Sequence, residues 1–299
     1  MPHTRLVPIL EKEISDDLRA AVNPSGGWGY SIGKASRLEP TSWALLALGG
    51  DAARAEELQA HRRFLTSHQL ESGLLSDDSS APISVSCNAL AAVALLSLPG
   101  AVPETSIQAL LNALVTVAGP SPEAATAIIE NEHAHHGTLV DADGHWVEPT
   151  AWVVLALKTA RARGLAPAGS DARIAAAERR LLAHSVETGG WSSGYTEATG
   201  GSASPSVTAL VLLAMQNHRE EPAILLGLDF LEQHWSEEES TIGLALAVLG
   251  LRRYGKNTSR VESKLLQRLP MAQMLGYLQA LAVVLHAIDA RSHHAAFVF

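Results

Sequence analysis

Six segments of this sequence are apolar on nearly every side, and this pattern constrains the fold more than any other feature. They begin at or near Pro40, Pro82, Pro149, Pro205, Ser240 and Pro270. The segments are rich in Ala and Leu, which have the highest helix propensities. Proline suits the first turn of a helix because its missing N–H would be unpaired there anyway. A helix that is apolar all round has to be buried on most sides, so we expect six buried helices.

Amphipathic segments alternate with these apolar ones. They are predicted at Leu6 to Ala21, Ala53 to His68, Asp171 to Glu187, Pro222 to Trp235 and Ser259 to Arg268, with one or two more between Pro103 and His136. No β-branched run with period-two alternation marks a strand. Six buried helices shielded by amphipathic neighbours predict an all-α (α/α)6 toroid, a barrel of six helical hairpins. One such toroid uses residues 1–299, so we expect a single domain.

Composition narrows the function classes. The chain is 47% hydrophobic and 18% charged, with a formal net charge of −9. That acidic balance argues against binding to nucleic acid. The single cysteine, Cys87, excludes an internal disulfide and a Cys-rich zinc site. The apolar runs are shorter than the ~18 residues of a membrane span, and the N-terminal stretch does not resemble a secretory signal, so we expect a cytoplasmic protein without an integral membrane segment.

A repeated motif joins a Gly-Trp loop to Pro-Thr-x-Trp at the start of an apolar helix. It occurs at residues 27–48 and 144–152, and in a looser form at 190–210. This motif resembles the repeat of the squalene–hopene cyclase and prenyltransferase β-subunit family. The resemblance covers roughly residues 25–250. It implies an α/α toroid whose open end leads to an apolar cavity for an isoprenoid chain.

The family also suggests where chemistry would lie. Its cyclases protonate an alkene or epoxide with an Asp-x-Asp-Asp-Thr-Ala motif, and the matching register here is 146–151, which places Glu148 at the acid's position without the flanking aspartates. Its prenyltransferases hold zinc with Asp, Cys and His, whereas Cys87 has no Asp nearby. We therefore expect neither a metal nor another cofactor.

Four carboxyl groups are candidate catalytic acids. Glu148 and Glu39 each precede a helix-initiating proline, and burial at a cavity mouth would raise the pKa of either group. The alternative is that both simply satisfy backbone N–H groups at a helix start. Asp141 and Asp143 lie two residues apart and could share a proton or a cation, although Asp-x-Asp-Gly is also an ordinary turn.

Aromatic and histidine side chains provide the remaining candidates. The predicted substrate-binding residues are Trp28, Tyr30, Trp146, Trp191, Tyr195 and Tyr277. Aromatic faces can stabilise carbocations, whereas in the family that this chain resembles the repeat tryptophans mostly brace outer against inner helices. His133 and His136 could face one side of a helix with Glu130, but a fourth metal ligand is not evident.

The favoured hypothesis is a terpene-cyclase-like enzyme that protonates an apolar isoprenoid or polycyclic substrate, with Glu148 as the acid, assisted by Asp141 or Asp143. One alternative is a non-catalytic toroid that binds a lipid-like ligand or a protein partner. Another is an (α/α)6 glycosidase or lyase with paired carboxylates. The missing aspartates favour the first alternative, and the low aromatic content of 5% disfavours the second.

Overall fold

A computed structural model of the chain describes residues 3–49, 56–77, 83–98, 104–117, 147–192, 202–289, 297 and 299. Regular structure in these ranges is helical, and a single antiparallel bridge joins Gln69 and Leu75. The fold is all-α, as the sequence predicts.

The apolar segments form the inner wall of a ring. Over the described residues, the six inner helices are α2 (Leu38–Leu48), α4 (Val85–Ser97), α6 (Val147–Ala162), α8 (Pro205–Ala214), α10 (Thr241–Arg253) and α12 (Leu278–Ile288). Each packs against the next, and α12 packs against α2. The ring is therefore closed, because the last inner helix meets the first.

Amphipathic helices form the outer layer. In the same described part of the chain they are α1 (His3–Ala20), α3 (Gln59–Ser67), α5 (Glu104–Thr116), α7 (Ser170–Ala183), α9 (Pro222–His234) and α11 (Ser259–Met274). Helix α5 packs against α4 and α6, α9 against α8 and α10, and α11 against α10 and α12, while α1 covers α12. Two concentric layers of helices make the (α/α)6 toroid, and this fold prediction is confirmed.

Proline marks three of the inner helix starts but not the last. Pro205 is the first residue of α8, and Pro40 and Pro149 each lie in the first turn of their helix. The prediction that Pro270 begins the last inner helix is wrong, because Pro270 lies inside α11. The apolar face of α11 continues past this exposed proline, so packing of that face holds the helix together through it. A turn at Gly276, with φ +63°, then leads into α12.

Two of the repeat tryptophans tie the layers together. The Trp28 indole N–H donates to the carbonyl of Leu18 at 2.7 Å, and its backbone N–H donates to Thr41 Oγ1 at 2.9 Å. Trp191 makes the same pair of bonds, to Leu181 at 2.7 Å and to Thr208 at 3.0 Å. Each tryptophan thus connects the end of an outer helix to the start of the following inner helix.

The second hairpin keeps this connection without a tryptophan. Leu75 stands in the place of Trp28, and its backbone N–H donates to Asn88 Oδ1 at 2.6 Å. The Asn88 amide in turn donates to the Leu75 carbonyl at 3.0 Å. The feature that these hairpins share is therefore a hydrogen bond from the loop backbone to a side chain of the inner helix. A tryptophan accompanies this bond in two hairpins, and a leucine does so in the second.

Replacing Trp191 by phenylalanine should lower the free energy of unfolding by about 2–4 kcal/mol. The change removes buried ring volume and leaves the buried Leu181 carbonyl without its indole donor. Urea unfolding followed by far-UV circular dichroism measures this loss. Trp235→Phe is the matched control, because Trp235 is only partly buried in the short 3-10 helix Trp235–Glu237, and it should unfold within about 1 kcal/mol of wild type.

Candidate functional site

A cavity of about 170 Å³ opens at the N-terminal ends of the inner helices. Its mouth ring is formed by the side chains in the first turns of five inner helices: Glu39, Ser86, Glu148, Ser206 and Ile242. Its apolar ring follows four residues later on each of these helices: Trp43, Leu90, Trp152, Leu210 and Leu246. Residues four apart lie above one another on the same helix face. The cavity therefore passes from a largely polar mouth to an apolar interior within one helical turn.

The sixth inner helix, α12, contributes a hydrogen-bond donor to the Glu39 side chain. Gln279, in the first turn of α12, donates its amide to Glu39 Oε1 at 2.6 Å. The Tyr30 hydroxyl donates to Glu39 Oε2 at 2.9 Å. Both carboxyl oxygens of Glu39 are thus fixed by side chains that come from distant parts of the sequence.

The pKa of Glu39 lies above its usual value. Burial is the main cause, and the negative charges of Glu148 and Asp77 add to it, while the bonds from Tyr30 and Gln279 oppose it without cancelling it. The net direction means that Glu39 keeps its proton to higher pH than an exposed glutamate. A carboxyl group in this state can serve as a general acid.

Glu148 occupies the equivalent position on α6. Desolvation raises the pKa of its carboxyl group as well, and a hydrogen bond from Trp152 opposes that effect. The side chain remains exposed on one side, so its charge is better solvated than that of Glu39. When two nearby acids differ in this way, the better solvated one ionises first and its charge raises the pKa of the other. Glu148 therefore loses its proton at a lower pH than Glu39 does, and Glu39 is the better placed of the two to hold a proton.

Asp77 and Cys87 complete the surroundings of Glu39. Asp77 lies in the connection between α3 and α4. Its Oδ1 accepts a hydrogen bond of 2.6 Å from the backbone N–H of Leu38, so it caps the start of α2. Burial raises the pKa of Asp77 despite that bond. Burial, together with the charge of Glu39, raises the pKa of the Cys87 thiol to about 12, which keeps this sulfur in its weakly nucleophilic thiol form.

The raised carboxyl pKa values predict how stability depends on pH. An acid whose pKa is higher in the folded state costs stability once the pH exceeds its unfolded value, 4.5 for Glu39, and the cost is complete above its folded pKa. Glu39→Gln removes this cost, so the variant should gain about 0.5–2 kcal/mol over wild type at pH 8 and lose that gain near pH 4. Urea unfolding at a series of pH values tests this. A difference between the two proteins that stays constant with pH would show that Glu39 titrates normally.

The predicted site residues fall into three groups. Glu39 and Glu148 line the cavity, and Tyr30 reaches it through its bond to Glu39. Trp28 and Trp191 are buried between the outer and inner helices in the bracing role, and Tyr277 is an exposed residue at the start of α12. The others lie outside the described residues: Asp141, Asp143, Trp146, Tyr195, His133 and His136.

A cluster of aromatic side chains packs behind the apolar ring, and the sequence motifs predict only part of it. The rings of Trp43 and Trp152 meet edge to face with centroids 5.8 Å apart. Phe297 packs 6.1 Å from Trp152 and 6.3 Å from Trp43, and His286 lies 5.5 Å from Phe297. Only Trp43 and Trp152 carried a motif, since Phe297 and His286 lie near the C-terminus of the chain outside every repeat.

Comparisons with known proteins support the fold. No protein-family model matches the sequence, and no curated protein matches it either. A solved structure of a protein from Actinoplanes has a TM-score of 0.60 and 15% identity, covering 94% of this chain and 98% of that one. A type II terpene cyclase from Scytonema, solved with its substrate geranylgeranyl dihydroxybenzoate, has a TM-score of 0.40 and 16% identity over 81% of each chain. The first likeness shows a shared fold alone, and the second is too weak to support a further statement.

In the described part of the chain, no helix combines the length and apolarity needed to cross a membrane. The same residues contain no group of three or more His, Cys, Asp or Glu side chains placed to hold a metal ion.

Proposed function

We propose that this protein is a terpene-cyclase-like enzyme that protonates an uncharged isoprenoid or polycyclic alkene, with Glu39 as the proton donor. One observation carries the proposal: a partly buried carboxyl group with a raised pKa and two side-chain hydrogen bonds lies one helical turn above an apolar ring. A cavity filled by its own side chains would instead favour a purely structural role.

The charge of the lining favours a neutral substrate. The described lining residues include two glutamates and no lysine, arginine or histidine. Asp77 adds a further negative charge close to Glu39. A diphosphate group would meet like charge at this mouth without a cationic side chain to bind it. An alkene or an epoxide carries no charge and suits the apolar ring below.

The proposed reaction begins with Glu39 in its protonated form. Glu39 gives its proton to one carbon of a double bond, whose electron pair forms the new C–H bond and leaves the adjacent carbon cationic. The faces of Trp43 and Trp152 would stabilise that cation, each by about 0.5–2 kcal/mol. A proton then leaves a neighbouring carbon for the Glu148 carboxylate, which creates a new double bond. Both glutamates return to their starting states by exchange with water at the mouth.

Ligand identification comes first in testing this proposal. Native mass spectrometry of the purified protein would detect a co-purified apolar molecule. The protein is then incubated with squalene, oxidosqualene and linear prenyl alcohols in deuterium oxide, and the products are separated by gas chromatography and mass spectrometry. Protonation by an exchangeable acid predicts a rearranged product that carries one non-exchangeable deuterium.

The outcomes separate the proposal from its main alternative. A rearranged product without deuterium would overturn the assignment of a protonating acid. Binding of these lipids with no conversion under any condition would favour the non-catalytic, ligand-binding toroid. Heat-denatured protein is the control for spontaneous rearrangement in acid.

A further inference from the structure

Among the described residues, an aromatic side chain from near the C-terminus of the chain packs behind the cavity. Phe297 is 1% exposed and packs against Trp43 and Trp152, the two largest members of the apolar ring. Phe297 is not itself a lining residue of the cavity. Its ring therefore lies behind the two tryptophans, on the side away from the mouth.

Two contacts place Phe297 and Phe299 at the end of the toroid opposite the mouth. The backbone carbonyl of Phe297 accepts a hydrogen bond of 2.9 Å from Gln216, which follows the C-terminal end of α8. The Phe299 ring lies 5.2 Å from the ammonium group of Lys158, which bonds to the carbonyl of Ala214, the last residue of α8. The mouth ring, by contrast, lies at the N-terminal ends of the same inner helices.

Phe297 also has an unusual backbone for its residue type. Its φ of +59° makes it the only non-glycine residue with positive φ in the described ranges. A phenylalanine in this left-handed region costs roughly 1–2 kcal/mol. Burial of its ring among Trp43, Trp152 and His286 offsets that cost. The phenyl ring of Phe297 is therefore held inside the toroid by packing whose stabilisation exceeds the cost of its left-handed backbone.

We propose that Phe297 sets the depth of the cavity and so determines the length of the apolar ligand that the toroid accepts. This inference rests on the proposed function in so far as the ligand is an isoprenoid. We call Phe297 the floor of the cavity. This role follows from the packing of Phe297 and is testable without any assumption about the ligand. Removing the Phe297 ring would leave a void directly behind Trp43 and Trp152, and movement of these two side chains into that void would deepen the cavity.

Binding of a graded series of ligands tests the specificity. The probes are prenyl alcohols of 5, 10, 15 and 20 carbons, titrated by calorimetry into wild type, Phe297→Ala and Phe297→Leu. Each methylene newly admitted to an apolar site raises affinity about fourfold. We expect Phe297→Ala to bind the longer alcohols at least tenfold more tightly than wild type does, with little change for the shortest, and Phe297→Leu to be intermediate. An unchanged length dependence in both variants would overturn the proposal.

A second measurement tests the position of Phe297 independently of the proposed function. Toluene is a small probe that enters engineered apolar cavities, and its effect on the thermal midpoint requires no isoprenoid chemistry. It should raise the midpoint of Phe297→Ala by more than it raises that of wild type, whose existing cavity also offers an apolar site. Phe230→Ala, which removes an aromatic ring from outer helix α9, is the control for general loosening and should respond no more than wild type does.

The two measurements fail in different ways. A larger stabilisation of Phe297→Ala than of wild type by toluene, together with no binding of any prenyl alcohol, would support Phe297 as the floor of the cavity and contradict the proposed substrate class. A response to toluene in both Phe297 variants that does not exceed that of wild type would contradict this role of Phe297. Phe297→Leu keeps an apolar side chain in the lumen, so the test remains informative if the alanine variant does not fold.

Discussion

Replacing Glu39 by glutamine is expected to lower turnover by a factor of about 10²–10⁴ while leaving ligand affinity within a few-fold of wild type. That range is the usual contribution of a positioned general acid. Glutamine has nearly the same shape: its amide oxygen can accept the hydrogen bond from Gln279, and its NH2 group can donate to the Tyr30 hydroxyl oxygen, so the mouth ring should keep its geometry. What the variant lacks is a proton to donate. Product formation per enzyme and calorimetric binding of the same substrate measure the two effects separately.

Glu148→Gln should behave differently from Glu39→Gln. The charge of Glu148 raises the pKa of Glu39, so its removal should lower that pKa. The reaction needs protonated Glu39, and the Glu148 carboxylate takes up the proton that the cation releases. Turnover of Glu148→Gln should therefore be reduced but retained at low pH, where water at the mouth takes that proton instead, and it should decline at a lower pH than in wild type. An exposed carboxylate outside the cavity provides the control, and Glu237→Gln should match wild type at every pH.

Two results would contradict this assignment. Full turnover in Glu39→Gln would remove Glu39 from the mechanism. Loss of turnover at every pH in Glu148→Gln, with turnover kept in Glu39→Gln, would restore Glu148 as the donor, which is the role that the sequence motif alone suggests.

The sequence predicts both glutamates as candidates and favours Glu148 as the acid, whereas our proposal from the structure gives that role to Glu39. Each was visible because it precedes a proline at the start of an apolar helix, and that register fixes its position at the cavity mouth. To decide which glutamate is the better proton donor, the hydrogen-bond partners of each carboxyl group have to be known. Gln279 lies 240 residues from Glu39 and becomes its neighbour only because the last inner helix closes the ring on the first.

The three other members of the mouth ring carry no sequence signal of their own. Ser86, Ser206 and Ile242 stand four residues before Leu90, Leu210 and Leu246, as Glu39 stands before Trp43. The motif depends on tryptophan and so does not mark these positions, although the three helices are predicted and the spacing of four is the same. The Asn88 connection in the second hairpin was missed for the same reason, since loop hydrogen bonds replace the Gly-Trp signature there.

The largest stability effect is expected at a buried lysine on the outer side of α6. Lys158 has no solvent exposure, and its ammonium group forms an ion pair of 2.6 Å with Glu178 on α7. It also donates to the carbonyl of Ala214 at 2.6 Å and to the side chain of Asn217. One cation thus joins two inner helices, one outer helix and the link that follows α8.

Lys158→Ala should lower the free energy of unfolding by about 3–5 kcal/mol, because it leaves a carboxylate and two other acceptors without their buried donor. Arg161→Ala is the matched control. Arg161 pairs with Asp171 across the same two helices, α6 and α7, but both side chains are largely exposed. An exposed pair of this kind contributes about 0–1 kcal/mol. Equal effects of the two substitutions in urea unfolding would show that the buried pair contributes little.

The pH dependence of this loss provides an independent check on its cause. Burial by itself would raise the pKa of Glu178, but the hydrogen bond and charge of Lys158, with His218 beside it, hold that pKa below its usual 4.5. A carboxyl group with a depressed pKa stabilises the fold above its unfolded pKa, and this contribution disappears as the pH falls through its folded pKa. The deficit of Lys158→Ala relative to wild type should therefore be full at pH 7 and shrink below pH 4.5. A deficit of the same size at pH 3 and pH 7 would assign the loss to packing of the lysine side chain instead of its charge, and Lys158→Met, which keeps most of the side-chain volume, should then be nearly as stable as wild type.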